Sequence, residues 1–207
     1  MKLIYKLLSI CVFAAASTYS FSIEKDTAVQ FTYGKVYSLG TIDFQNNSNL
    51  ETVTENFILE GQSVNLKYIY SPFSAISLSY HMLESCKIDE ANTRLGCHIS
   101  SPIEGGSVEF LTGLNMAGKG IFLFTGVGYY LEKQQNTEFQ ELYIPVGLGV
   151  NLNKMVFEVS YAFRNAPHYD AYEYSIFSAT DPDYTIQSTH DIFAPSQPIT
   201  LSVGMRF

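Results

Sequence analysis

Hydrophobic residues recur at every second position in segments of about ten residues, a period that predicts antiparallel strands of membrane-crossing length. The last segment is the clearest. Ile199, Leu201, Val203, Met205 and Phe207 share one face, with Pro198, Thr200, Ser202, Gly204 and Arg206 on the other. Near the start, Val29, Phe31 and Tyr33 alternate with Gln30, Thr32 and Gly34. Val64, Leu66, Tyr68 and Tyr70 alternate with Ser63, Asn65 and Lys67, although Ile69 interrupts the polar face. Ile76, Leu78, Tyr80 and Met82 oppose Ala75, Ser77, Ser79 and His81. Val108, Phe110, Leu114 and Met116 oppose Ser107, Glu109, Gly113 and Asn115. Leu123, Thr125, Val127 and Tyr129 oppose Phe124, Gly126, Gly128 and Tyr130. Ile144, Val146, Leu148, Val150 and Leu152 oppose Tyr143, Pro145, Gly147, Gly149 and Asn151. Phe157, Val159, Tyr161 and Phe163 oppose Glu158, Ser160, Ala162 and Arg164, which brings the strands to eight.

The connections sort into two kinds. Ser71-Pro72, Ala117 to Gly120 and Asn153-Lys154 read as short turns, while 39–57, 83–105, 132–140 and 165–196 read as long polar loops. Short turns at one end and long loops at the other are the pattern of an outer-membrane barrel, with the long loops outside the cell. The expected fold is all-β: an eight-stranded antiparallel up-and-down transmembrane β-barrel.

Alternation alone does not say which face is wet. A soluble barrel would turn its apolar face inward. Here the polar face carries Lys67, His81, Glu109, Glu158, Arg164 and Arg206 among many small residues, and both signs allow pairing in a narrow lumen. The opposite face reads as aliphatic and aromatic with no lysine or glutamate. Eight such stripes would aggregate in water. In a bilayer they are required, because only a closed barrel leaves no unbonded strand edge.

Residues 1–22 read as a secretory signal: Lys2 and Lys6 precede the apolar stretch Leu7 to Ala16, which is too short to span a bilayer. Cleavage is expected after Ala16, Ser20 or Ser22, with Ser22 preferred; the competing reading is a retained amphipathic helix. Cys11 falls within the discarded signal, and Ile10 stands where a lipoprotein site would carry a small residue. The remainder, 23–207, reads as one barrel domain ending on its last strand. Cys86 and Cys97 are then an even pair in an exported chain, which suggests a disulfide. Two free thiols, or metal ligands with His98, are the alternatives, although zinc ordinarily takes four ligands. Closing so short a loop stabilises by about 3 kcal/mol in the chain-entropy model.

Composition narrows the function. Of the 207 residues only 15% are charged and 46% are hydrophobic, which is low in charge for a water-soluble protein. A net charge of −8 argues against nucleic acid as a partner. No cofactor or metal site is read.

The segment Tyr143-Ile-Pro-Val-Gly-Leu-Gly-Val-Asn151, the run Gly126-Val-Gly-Tyr-Tyr130 and the terminal Ser202-Val-Gly-Met-Arg-Phe207 resemble the small outer-membrane β-barrel family of OmpA/OmpX type. The resemblance covers the whole mature chain and speaks to fold and compartment far more than to function. It implies that Phe207, with Met205, Val203 and Leu201, is the signal read by the barrel-assembly machinery. Unlike OmpA, the chain is expected to lack a periplasmic peptidoglycan-binding domain.

Three kinds of chemistry compete for this scaffold. Lys67, Glu109, Glu158, Arg164 and Arg206 form a candidate lumen charge network, with Glu158 and Arg206 expected to pair. Such charges plug a barrel only wide enough for side chains, or else line a narrow gated channel for small solutes or apolar molecules. A lipid-modifying enzyme would need a nucleophile and base. His98-Ile99-Ser100 lies in a loop, and His81 with Ser79 lacks an identifiable carboxylate. The loops are acidic: Asp170, Glu173, Asp181, Asp183 and Asp191 in 165–196, and Asp43, Glu51 and Glu55 in 39–57. They would repel polyanions. They would suit divalent cations that bridge lipopolysaccharide phosphates, or simply a solvated surface. Tyr169, Tyr172, Tyr174, Phe177 and Tyr184 add aromatic surface suited to contact with a surface protein or host partner. The leading expectation is a non-enzymatic barrel acting in envelope structure or surface interaction, set among outer-membrane lipid and lipopolysaccharide.

Overall fold

The computed structural model describes residues 27–46, 48–88, 95–97, 99, 101–135, 137–164, 177–179, 184–186 and 197–207. The expected signal segment 1–22, with Cys11 and its cleavage sites, lies outside them. So do His98, Ser100, Asp170, Glu173, Asp181, Asp183 and Asp191, and Tyr169, Tyr172 and Tyr174.

Eight long strands follow the alternating segments: β1 Ala28–Asn46, β2 Thr52–Ser71, β3 Ser74–Ile88, β5 Ile103–Leu114, β6 Gly120–Gln134, β7 Thr137–Leu152, β8 Met155–Arg164 and β11 Gln197–Arg206. Three short strands, β4 Leu95–Cys97, β9 Phe177–Ala179 and β10 Tyr184–Ile186, belong to the connections. Each long strand pairs antiparallel with the next, and β1 pairs with both β2 and β11, so the sheet is a closed barrel.

Its dimensions follow from the register. A circuit of directly paired residues runs from Leu152 through Met155, Met205, Phe31, Leu66, Leu78, Val108 and Tyr129 to Leu142. It regains its starting strand ten residues from where it began, a shear number of ten. Eight strands about 4.8 Å apart, rising about 3.3 Å per residue, then tilt by roughly 40°. Each residue along a strand climbs about 2.5 Å of the barrel axis, and each step to the next paired strand about 3 Å.

The turn end matches expectation, with tight reversals after Ser71, Leu114 and Leu152. The loop end does not. The expected loop 39–57 is mostly strand, because β1 and β2 stay in register up to Gln45↔Thr52. Above the bilayer both faces of a hairpin can be polar, so alternation ceases while the backbone ladder continues. This hairpin rises on the order of 20 Å beyond the last membrane-level residues. The expected loop 132–140 is mostly strand: Gln134 pairs with Thr137, and Gln135 has φ 52°, the left-handed geometry found in tight hairpins. Loops 83–105 and 165–196 carry short strands that pair with each other, Leu95–Cys97 against Phe177–Ala179, while Tyr184–Ile186 adds to β1.

Candidate functional site

The outer wall decides which solvent this barrel meets. Ile121, Leu142 and Phe110 are 67, 63 and 62% exposed, and Leu123, Leu148, Val159, Leu201 and Met205 are exposed on neighbouring strands. From Ile121 to Leu131 on β6 the outward positions span ten residues, about 25 Å along the axis, which is the height of a barrel's hydrocarbon band. Phe207 lies exposed at the turn end. The expectation of a face without lysine fails at one position within this band: Lys35 continues the outward series Val29, Phe31, Tyr33 and is exposed.

Inside, the turn end is closed by an apolar floor of Ile69, Ala75, Leu111, Met116, Phe122 and Val156. Ile69 therefore interrupts a polar face because that face ends on the floor. Met116, expected outside, is buried here: β5 stops at Leu114, and Asn115 at φ 56° turns the chain inward. Asn115 secures the reversal through its amide, which donates to the Lys119 and Ile121 carbonyls at 3.0 and 2.8 Å. At floor level Gln30 donates to Asn151 (3.2 Å), and the Asn151 amide donates to Gly118 O (2.9 Å).

Two charged layers sit above the floor. In the lower, Lys67 Nζ donates to Glu158 Oε2 at 2.6 Å with both side chains buried, and the ammonium stands 4.2 Å from the Phe124 ring centre. The Tyr143 hydroxyl donates to Glu109 Oε1 at 2.5 Å and lies 2.9 Å from Ser107 Oγ. In the upper layer Glu132 accepts from Arg164 and meets His81 Nε2 at 2.8 Å, while the Arg164 guanidinium covers Tyr130 at 4.0 Å. Between the layers lies a cavity of about 70 Å³ walled by Thr32, Ser63, Asn65, Ser79, Ser107 and Ser202 among others.

Lys67, Glu109, Glu158 and Arg164 thus share the lumen, whereas Arg206 belongs to the floor, donating to the Gly118 carbonyl at 3.1 Å. The expected Glu158–Arg206 pair is not how the register falls. Glu158 stands opposite Ser202, four residues and about 13 Å along the strand from Arg206, and Lys67 takes its place. Glu132 escaped the sequence reading because it fell within an expected loop. Extending the inward series Phe124, Gly126, Gly128, Tyr130 by one period finds it. It is also the carboxylate that His81 was thought to lack. Ser79 meets Ser107 (2.6 Å) rather than His81, whose Nε2 is engaged by Glu132.

At the loop end the Cys86 and Cys97 Cα atoms are 5.7 Å apart, inside the disulfide range.

No protein-family model matches the chain, and no curated protein matches it. Among solved structures it is similar to Ail, the attachment invasion locus protein of Yersinia pestis, at 12% identity over 89% of this chain and 100% of that one, TM-score 0.43. A second structure of Ail, in complex with the heparin analogue sucrose octasulfate, gives 12% identity over 87% and 99%, TM-score 0.40. Neisserial surface protein A gives 8% identity over 87% and 96%, TM-score 0.37. This chain has the architecture of the small eight-stranded outer-membrane barrels. Its closed register and exposed apolar wall establish that architecture.

Proposed function

We propose that the chain is a non-enzymatic integral protein of the bacterial outer membrane, acting in envelope structure or surface contact through the parts that rise above the bilayer. The observation that carries this is the blocked lumen. The apolar floor and two layers of buried, mutually bonded charges fill a barrel of eight strands, the size at which side chains occupy the interior. A wall that faces hydrocarbon and a lumen largely filled by side chains leave the loop end as the surface on which to act. The β1–β2 hairpin and the connections 83–105 and 165–196 form it, and a surface protein or host molecule is the partner class that their aromatic and acidic residues suit. Lipopolysaccharide surrounds the wall.

Residues 1–22 are removed on export. Cys86 and Cys97 form a disulfide that fixes β4 beside β3. Leu201, Val203, Met205 and Phe207 are read by the barrel-assembly machinery. Lys67, Glu109, Glu158 and Arg164, with Glu132 and His81, act as the plug, and Arg206 ties the floor.

One observation favours a second reading, a narrow channel: the polar cavity interrupts the plug at mid-height. Planar-bilayer recording separates the two. A closed baseline with the purified barrel supports the plug, and reproducible unitary steps would replace it with the channel.

A further inference from the structure

Lys35 stands at a place where a charge is costly. Counting along the register from Leu152, Phe31 is three strands on and Lys35 four residues higher, about 19 Å up a band whose upper edge, at Leu142, is about 25 Å up. Its Cα therefore lies roughly 6 Å inside the hydrocarbon on the loop side, a depth from which a lysine stem delivers its ammonium to the headgroup boundary. On one flank is Leu201, its register partner on β11. On the other flank is Gln62.

The surroundings are those of an anion site rather than an ion pair. The Tyr33 hydroxyl donates to Gln62 Oε1, which occupies the acceptor end of that amide and leaves its NH2 group to donate elsewhere. Glu60 lies opposite Tyr37 one step above, and its carboxylate is taken by Lys87 Nζ at 2.7 Å. Lys35 thus has a donor beside it and no uncommitted acid in the adjoining ladder positions of β2 and β11. We infer that Lys35 and Gln62 bind the phosphate of a glycolipid in the leaflet on the loop side. This inference rests on the membrane orientation proposed above, which makes that leaflet the outer one, where a phosphorylated glycolipid supplies the anion.

Native mass spectrometry of the folded full chain in detergent tests it, with three probes: bis-phosphorylated lipid A, the same lipid without phosphates, and phosphatidylglycerol. The wild-type barrel should retain the phosphorylated lipid A about tenfold better than the lipid without phosphates, the contribution of one charge-assisted contact, and also better than phosphatidylglycerol, whose diester carries less negative charge than a phosphate monoester. Lys35→Met should erase that preference, Lys35→Arg should keep it, and Gln62→Leu should weaken it. Equal retention of phosphatidylglycerol, or an undiminished preference in Lys35→Met, overturns the site. Heat-modifiable migration of every variant is recorded alongside. A wild-type chain that never shows it would sink the membrane reading itself, whereas a folded barrel with no lipid preference would sink this inference alone.

Discussion

Replacing Lys67 with methionine keeps the length and packing of the side chain and removes its charge, leaving Glu158 buried beneath the cavity without its 2.6 Å partner. Breaking a buried pair from one side costs about 3–5 kcal/mol, because the stranded carboxylate keeps its desolvation penalty. Glu158→Gln should cost less. The ammonium then still lies over the Phe124 ring at 4.2 Å, a contact worth about 1–2 kcal/mol where water is scarce, and the new amide still offers an oxygen. Combining Lys67→Met with Glu158→Gln removes both charges, so its cost should fall short of the summed singles by about 2–3 kcal/mol. The assay is urea unfolding of the vesicle-inserted barrel, read from the fraction that keeps folded gel mobility, since the chain has no tryptophan to report. Additivity of the two changes within about 0.5 kcal/mol would refute a desolvated pair and leave the lower layer bathed in water.

Other outcomes follow from the closing seam, the ends and the rim. A Cβ on Gly34 would sit 2.1 Å from the Leu201 carbonyl oxygen across the β1–β11 junction, so Gly34→Val should prevent closure; undiminished heat-modifiable migration would contradict this. Deleting Phe207 should cut outer-membrane levels of the protein several-fold while total synthesis is unchanged, measured by membrane fractionation. Maleimide should label Cys86 and Cys97 on intact cells only after reduction, and labelling without reductant would remove the disulfide. Asn115→Ala, which loses two amide donations at the β5–β6 turn, should lower stability by about 1–3 kcal/mol in the same urea assay.

Strands were legible in the sequence wherever one face meets hydrocarbon, because there the alternation is chemically enforced. The final strand, β8 and the membrane-level half of β7 could be read residue by residue for that reason. Above the bilayer the enforcement stops, so Leu39–Asn46 and Thr52–Phe57 read as loop although their backbones pair as strand. The same blindness hid Glu132, one period past Tyr130. Ile69 looked like an exception and Met116 like one more outward residue because a linear alternation carries no height, and both lie on the apolar floor. The lumen partners were beyond reach for another reason. Lys67 meets Glu158 only because of how β1 and β11 set β2 against β8 around a barrel of shear ten, a number that no segment of the sequence contains.

The absence of native tryptophan makes the polarity of the wall directly measurable. A single tryptophan placed at Leu148, which is exposed on β7, can be compared with one at Tyr130, buried in the lumen, in vesicles whose acyl chains carry bromine. Strong quenching of the Leu148→Trp protein, with the Tyr130→Trp protein spared, is the expected result. Quenching at position 130 instead, or at neither position, would mean that the apolar face does not lie against lipid.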